Sequence, residues 1–227
     1  MLALSNINSK TRRIVLISLF SALAYICMFV FRIKVSFLTF DAKDAVITVG
    51  AMLLGAPSGI VISFITAFAE YISVSDTGIY GFIMNFVSSA AFSSTAALIY
   101  RRRKTINTAI VSLMIAVVSM TAVMLISNLI ITPFYTGLKV AEVAALILPL
   151  LLPFNLTKGL LNASLVLIIY KPTMNALHRA NFIKDRENFK YNKKSIFVLL
   201  IGLLLLAVSI VVFVLLLHGS FEWVRKL

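Results

Sequence analysis

Asn155, Lys158 and Asn162 stand at spacing i, i+3, i+7, so a helix would carry all three on one face inside an otherwise apolar stretch. Two amides and an ammonium on one stripe offer several hydrogen-bond donors and acceptors, a set suited to an uncharged polar ligand. A lysine one turn into an apolar helix also reaches water less easily than one at the helix end. A single Asn in a membrane bundle commonly does no more than bond a neighbouring helix or a backbone carbonyl; the stripe is what points to a cavity. Asn128 and Asn85 place further amides in apolar runs, and Glu70 reads either as a weaker site candidate or as an interfacial anchor.

The segment 37–44 interleaves Phe37, Leu38 and Phe40 with Thr39, Asp41, Lys43 and Asp44. This suits a lid whose apolar side covers a ligand while its charges pair at the rim. An ordinary connecting loop with interfacial aromatics has the same composition. Two acids beside a lysine are a poor cation site. No G-x-x-x-x-G-K-[ST] phosphate loop and no H-E-x-x-H motif occurs, and His178 and His218 lie in a basic linker and near the C-terminus. No chain of intramembrane charges suggests a proton relay. Neither catalysis nor nucleotide hydrolysis is expected on this chain, and no bound cofactor.

The elements that position these residues follow from composition. With 227 residues, 61% hydrophobic and 13% charged, and a mean hydropathy of +1.03, the chain has too little polar surface for a soluble domain and is predicted to be an all-α, multi-pass membrane protein. Apolar runs cover residues 14–31, 45–54, 59–69, 81–100, 106–131, about 143–170 and 195–217. The second and third are too short to cross a bilayer upright and meet at Gly55-Ala56-Pro57-Ser58-Gly59, which predicts two half-length or tilted helices joined by a tight turn. The first run is not read as a signal peptide, because Tyr25, Met28 and Phe29 stand where small cleavage-site residues belong. Cys27 lies within it and is expected to pack rather than react. The last run follows a hydrophilic break and looks appended. The predicted organisation is a six-helix membrane domain at 1–178, to which the resemblance given below assigns substrate binding, a basic cytoplasmic linker at 179–194, and an appended transmembrane helix with a short outer tail at 195–227. No internal repeat is visible.

The formal net charge of +13 would suggest nucleic acid as partner of a soluble chain. With the N-terminus in the cytoplasm, however, inside segments collect 14 of the 21 bases against two acids, and outside segments seven bases against six acids. The excess fixes topology, with the C-terminus outside, and no nucleic-acid partner is expected; the lipid bilayer is the environment. In the first helix, Ser18-x-x-x-Ala22, with Ser21 and Ala24 nearby, provides a small-residue surface where another helix can approach closely.

Four passages together resemble the substrate-binding S components of energy-coupling factor (ECF) transporters, specifically the riboflavin-binding type: Ser18-Leu-Phe-Ser-Ala22, Phe37-Leu-Thr-Phe-Asp-Ala-Lys-Asp44, Leu54-Gly-Ala-Pro-Ser-Gly59 and Pro153-Phe-Asn-Leu-Thr-Lys-Gly159. The resemblance spans about residues 10–180. It implies a six-helix S-component bundle in a prokaryotic cell membrane, here with an additional C-terminal transmembrane helix that departs from the family pattern. It further implies capture of riboflavin as transported ligand at the outer face, and association with a transmembrane coupling subunit and two ABC-type ATPases. By position it carries pocket roles to Asn128, Asn155 and Lys158, closure over the ligand to the loop around Leu38–Lys43, and coupling-subunit contact to Ser18 and Ala22. Riboflavin, with an apolar ring edge, a pyrimidine edge and a neutral polyol, asks for an apolar slot with convergent amides. Thiamine is disfavoured because the one tryptophan, Trp223, lies past the last helix. An S component for another neutral vitamin is the first alternative, and an independent membrane channel or enzyme the second.

Overall fold

The computed structural model describes residues 9–35, 37–103, 105–180, 196–197 and 200–211. In chain order these form α1 (Ser9–Val30), β1 (Ile33–Val35), β2 (Leu38–Phe40), α2 (Lys43–Leu54), α3 (Ala56–Val74), α4 (Gly78–Tyr100), α5 (Ile106–Thr136), α6 (Val140–Ala145), a π-helical turn (Ile147–Leu151) and α7 (Leu152–Arg179). A further apolar helix, α8, covers Leu200–Val211. Among the described residues five segments are long and apolar enough to cross a membrane: Lys10–Val30, Ala56–Val74, Gly78–Tyr100, Asn107–Thr136 and Ile147–Arg179. The 12 residues of α2 reach only about 18 Å at 1.5 Å per residue, against about 30 Å of hydrocarbon.

The short α2 packs on α1, α3, α4 and α7 at once, and is therefore enclosed where the longer helices face lipid. It turns into α3 at Gly55, whose φ of +95° favours glycine, and Pro57 enters the first turn of α3, where its missing N–H costs nothing. Gly59 lets α3 approach α2: a Cβ there would lie 2.5 Å from that of Ala51. At the same end Arg13 of α1 donates to the Ser58 hydroxyl through Nε (3.0 Å) and Nη2 (2.7 Å). The third apolar run was expected to stop at Ala69; the helix instead continues to Val74, because Glu70 is compensated internally. The fifth continues past Pro133 to a left-handed C-cap at Gly137.

The main core joins Phe20 and Ala24 of α1, Ile47 of α2, Phe92 of α4, Leu113 and Met120 of α5, and Val166 of α7. A second cluster at the opposite end from Arg13 gathers Leu38, Phe40, Val143, Leu150, Leu151 and Phe154. Large side chains such as Ile14, Phe64, Val118 and Leu148 are exposed, as lipid-facing positions of a membrane bundle are. α8 lies against α7, with the Gly202 backbone close to Ile168 and the Ser164 carbonyl and Ile201 packed on the core.

Candidate functional site

The expected loop lid is a small antiparallel hairpin, Ile33 paired with Phe40 and Val35 with Leu38. Period-2 alternation turns Leu38 and Phe40 to one side, where Phe40 meets Phe154 edge-on at 4.4 Å between ring centroids. Leu38 and Thr39 both reach a cleft between hairpin, α4, α5 and α7. That cleft holds a cavity of about 70 Å³ below an open mouth, and its walls include Phe37, Thr39, Met84, Asn85, Tyr135, Phe154, Asn155 and Lys158. A second chamber of about 260 Å³ shares Phe37, Thr39, Thr77 and Asn85 and continues past Arg32, Glu70 and Asp76.

The charges of the hairpin do not pair at a rim. Asp41, Lys43 and Asp44 are all buried, which corrects that expectation. Lys158 Nζ donates to Asp41 Oδ2 (2.9 Å) and to the Thr39 carbonyl (3.2 Å). Lys43 Nζ lies 3.5 Å from Asp41 Oδ2 and 2.5 Å from Glu70 Oε2. The absence of an intramembrane charge chain, expected from the sequence, is thus also corrected: Glu70, Lys43, Asp41 and Lys158 form a continuous buried row. Glu70 is a structural partner and not an interfacial anchor. The reason is tertiary, since a buried charge is tolerated when paired and hydrogen-bonded, and the partners come from four different segments. Burial works against ionisation of Asp41, in the loop before α2, but Lys158 and Lys43 outweigh it and hold the carboxyl below the ordinary aspartate range.

Of the expected ligand-facing residues, Leu38, Thr39, Asn85, Asn155 and Lys158 line the cleft. Asn155 donates to its own helix, Nδ2 to the Leu151 carbonyl at 2.7 Å, leaving its amide oxygen toward the cleft side without a protein hydrogen bond among those described. Phe40 and Lys43 are packed behind the wall. Asn128 is fully buried one layer back, donating to the Met124 carbonyl (2.7 Å) and accepting from Thr132 (2.9 Å). Asn162 is committed to backbone: it accepts from Ala45 N–H (2.9 Å) and donates to the carbonyls of Asp41 (3.1 Å) and Lys158 (3.0 Å), pinning the start of α2 to α7. Asp41 likewise serves as an anchor. Sequence reasoning missed Tyr135, Thr77, Met84 and Met124; Tyr135 lies beyond the point where its apolar run ends, and it meets Phe37 edge-on at 6.3 Å. Ser18 and Ala22 are both exposed on α1. Among the described residues no group of three or more His, Cys, Asp or Glu side chains is placed to hold a metal ion.

Chemically the cleft offers aromatic faces from Phe37, Tyr135 and Phe154, two amides and one ammonium, a set that binds and orients but carries no nucleophile paired with a base. The family model described as "ECF transporter, substrate-specific component" matches residues 12–170. The chain is 28% identical over 181 residues to the riboflavin transporter RibU of Staphylococcus aureus (strain TCH60), covering 75% of this chain and 94% of that protein. It is 28% identical over 183 residues to the riboflavin transporter FmnP of Bacillus subtilis (strain 168), covering 72% of this chain and 94% of that one. A solved structure titled "Structure and mechanism of the S component of a bacterial ECF transporter" superposes with a TM-score of 0.64 at 26% identity, over 74% of this chain and 99% of the other. The last helix lies outside the matched range. With its family model spanning α1 to α7, the chain belongs to the substrate-specific components of ECF transporters, a membrane transport family and not a family of enzymes.

Proposed function

We propose that this chain captures riboflavin at the outer face of the cell membrane for ATP-driven uptake, handing it to a transmembrane coupling subunit driven by two ABC-type ATPases. The observation that carries the reading is the cleft in which Asn85, Asn155 and Lys158 face Phe37, Tyr135 and Phe154. A flat tricyclic ring asks for aromatic walls, and its pyrimidine edge asks for groups that both donate and accept. The names of the two relatives support the same ligand.

The reading places the basic end of the bundle, with Arg12, Arg13, Arg101 and Arg179, in the cytoplasm and the cleft outside. It takes α1 to α7 as the six-helix S-component bundle, 179–194 as a linker, and 195–227 as a seventh transmembrane helix ending outside. Asn128 and Asn162 act by holding the cleft wall, and Ser18 and Ala22 form the coupling-subunit contact. The test is riboflavin fluorescence quenching on purified protein, with a vitamin panel as competitors. Stoichiometric quenching displaced only by flavins is expected. Displacement by a different neutral vitamin at lower concentration, or no quenching at all, overturns riboflavin as the ligand.

A further inference from the structure

Five ionisable side chains are buried among the described residues, each at most 5% exposed: Asp41, Lys43, Asp44, Glu70 and Lys158. Three are acids and two are bases. The row Glu70–Lys43–Asp41–Lys158 uses both bases on two of the acids. Asp44 is left over. Its Oδ1 is in short contact with the Ser89 hydroxyl of α4, and its Oδ2 is buried with no hydrogen-bond partner among the described residues.

The groups facing Asp44 from each packed element are known. α7 brings Lys158, and Asp41 and Lys43 precede it in the chain, all three acting on its charge; α3 brings Glu70, held on Lys43, and α1 brings Cys27, whose Sγ lies 3.8 Å from the Ala42 carbonyl. α4 contributes hydroxyls, Ser88, Ser89 and Ser93, but no acid or base on this seam. An ionised Asp44 would therefore give the buried cluster one surplus negative charge, and would leave a charged oxygen without a donor, the arrangement a protein interior tolerates worst.

One proton removes both faults. The cluster becomes neutral, with two acids ionised against two lysines. The carboxylic O–H then serves as donor to Ser89 Oγ in the short contact, and Oδ2 becomes an uncharged carbonyl, whose lack of a partner costs far less. A metal cation fits worse. No hydroxyl reaches Oδ2 and the three acids do not converge on one point, so an oxygen shell cannot form.

We propose that Asp44 is a proton-binding site, occupied at neutral pH in the ligand-free protein. The proton sits beside the cleft: Ser89, its hydrogen-bond partner, adjoins Ser88, which lines the wall. Raising the pH until Asp44 ionises puts net negative charge between α2, α4 and α7, and loosens the wall from behind. The assignment stands apart from the identity of the ligand.

The test is infrared spectroscopy of the purified, ligand-free full chain in micelles at pH 7, in light and heavy water. A carbonyl band of a protonated carboxylic acid is expected in wild type, lost in Asp44→Asn and retained in Glu142→Gln, an exposed acid outside the cluster. The wild type alone gives a second reading, in which the band titrates away as pH rises. Asp44→Asn, which fixes the neutral form, should also unfold at the wild-type temperature at pH 7. Absence of the band in wild type, its persistence in Asp44→Asn, or its disappearance when sodium replaces potassium overturns the proposal; so does a large fall in unfolding temperature in Asp44→Asn, which would mark a paired carboxylate.

Discussion

Asp41→Asn keeps the shape of the side chain that joins Lys158 to Lys43 and removes its charge. The consequence differs for the two lysines. Lys43 keeps Glu70 at 2.5 Å, whereas Lys158 keeps only the Thr39 carbonyl at 3.2 Å. The partner lost is therefore that of Lys158, inside a site nearly closed to water, where ionisation of Asp44 offsets part of the stranded charge. Removing one partner of a buried ion pair typically costs about 3–5 kcal/mol, and the surviving carbonyl contact puts this case near about 3 kcal/mol. The reverse change, Lys158→Met, leaves Asp41 with Lys43 at 3.5 Å, so its expected cost is smaller, about 1–3 kcal/mol. In the double variant neither charge is stranded, and it should be more stable than the sum of the singles by about 0.5–3 kcal/mol. Reversible denaturation in mixed micelles followed by circular dichroism measures all four proteins. Costs below about 1 kcal/mol for Asp41→Asn, with singles that add within about 0.5 kcal/mol, would show that the ion row does not hold the hairpin to α7.

Asn155→Ala should weaken flavin binding about five- to a hundredfold, the loss of about 1–3 kcal/mol from a buried ligand group left unpaired, with helical content unchanged; a quenching titration at wild-type affinity would move the site away from α7. Ser18→Leu and Ala22→Leu alter exposed positions and should leave flavin binding intact while abolishing uptake in cells that carry the complete transporter. Gly59→Ala would set a Cβ 2.5 Å from that of Ala51, forcing α3 away from α2 at a cost of about 1–3 kcal/mol, read from the same denaturation curves.

Much of the bundle could be read from apolar runs, and the places where the runs misplace a boundary have a common cause. Glu70 interrupts the third run, and Pro133 and Pro172 fall near or beyond the ends of the fifth and sixth, yet α3, α5 and α7 continue through them. A run-based reading treats a charge or a proline as a stop. Within the fold, Lys43 neutralises Glu70, and each proline removes only one i→i−4 backbone bond from a helix that is packed on both sides of it. The hairpin was not legible because each strand has three residues, too few to display an alternation. The i, i+3, i+7 stripe of Asn155, Lys158 and Asn162 was legible as a shared face. What each residue on that face meets was not, because their partners Asp41 and Ala45 are 117 residues away in sequence.

The stripe also shows why a polar face cannot be equated with a ligand contact. An ammonium has three donors. In Lys158 one goes to Asp41 and one to the Thr39 carbonyl, and the side chain itself lines the cleft, so a third donor remains for a ligand without breaking the hold on the hairpin. Asn155 has no such double duty: among the described residues its amide bonds only its own helix. The two substitutions therefore separate binding from anchoring. Lys158→Met should lower both unfolding free energy and flavin affinity, while Asn155→Ala lowers affinity alone. Flavin titrations and denaturation curves on the same preparations test this. An affinity loss in Lys158→Met that disappears when Asp41→Asn is added would mean that Lys158 serves the ligand only through the hairpin; a loss that persists in the double variant assigns it a direct contact.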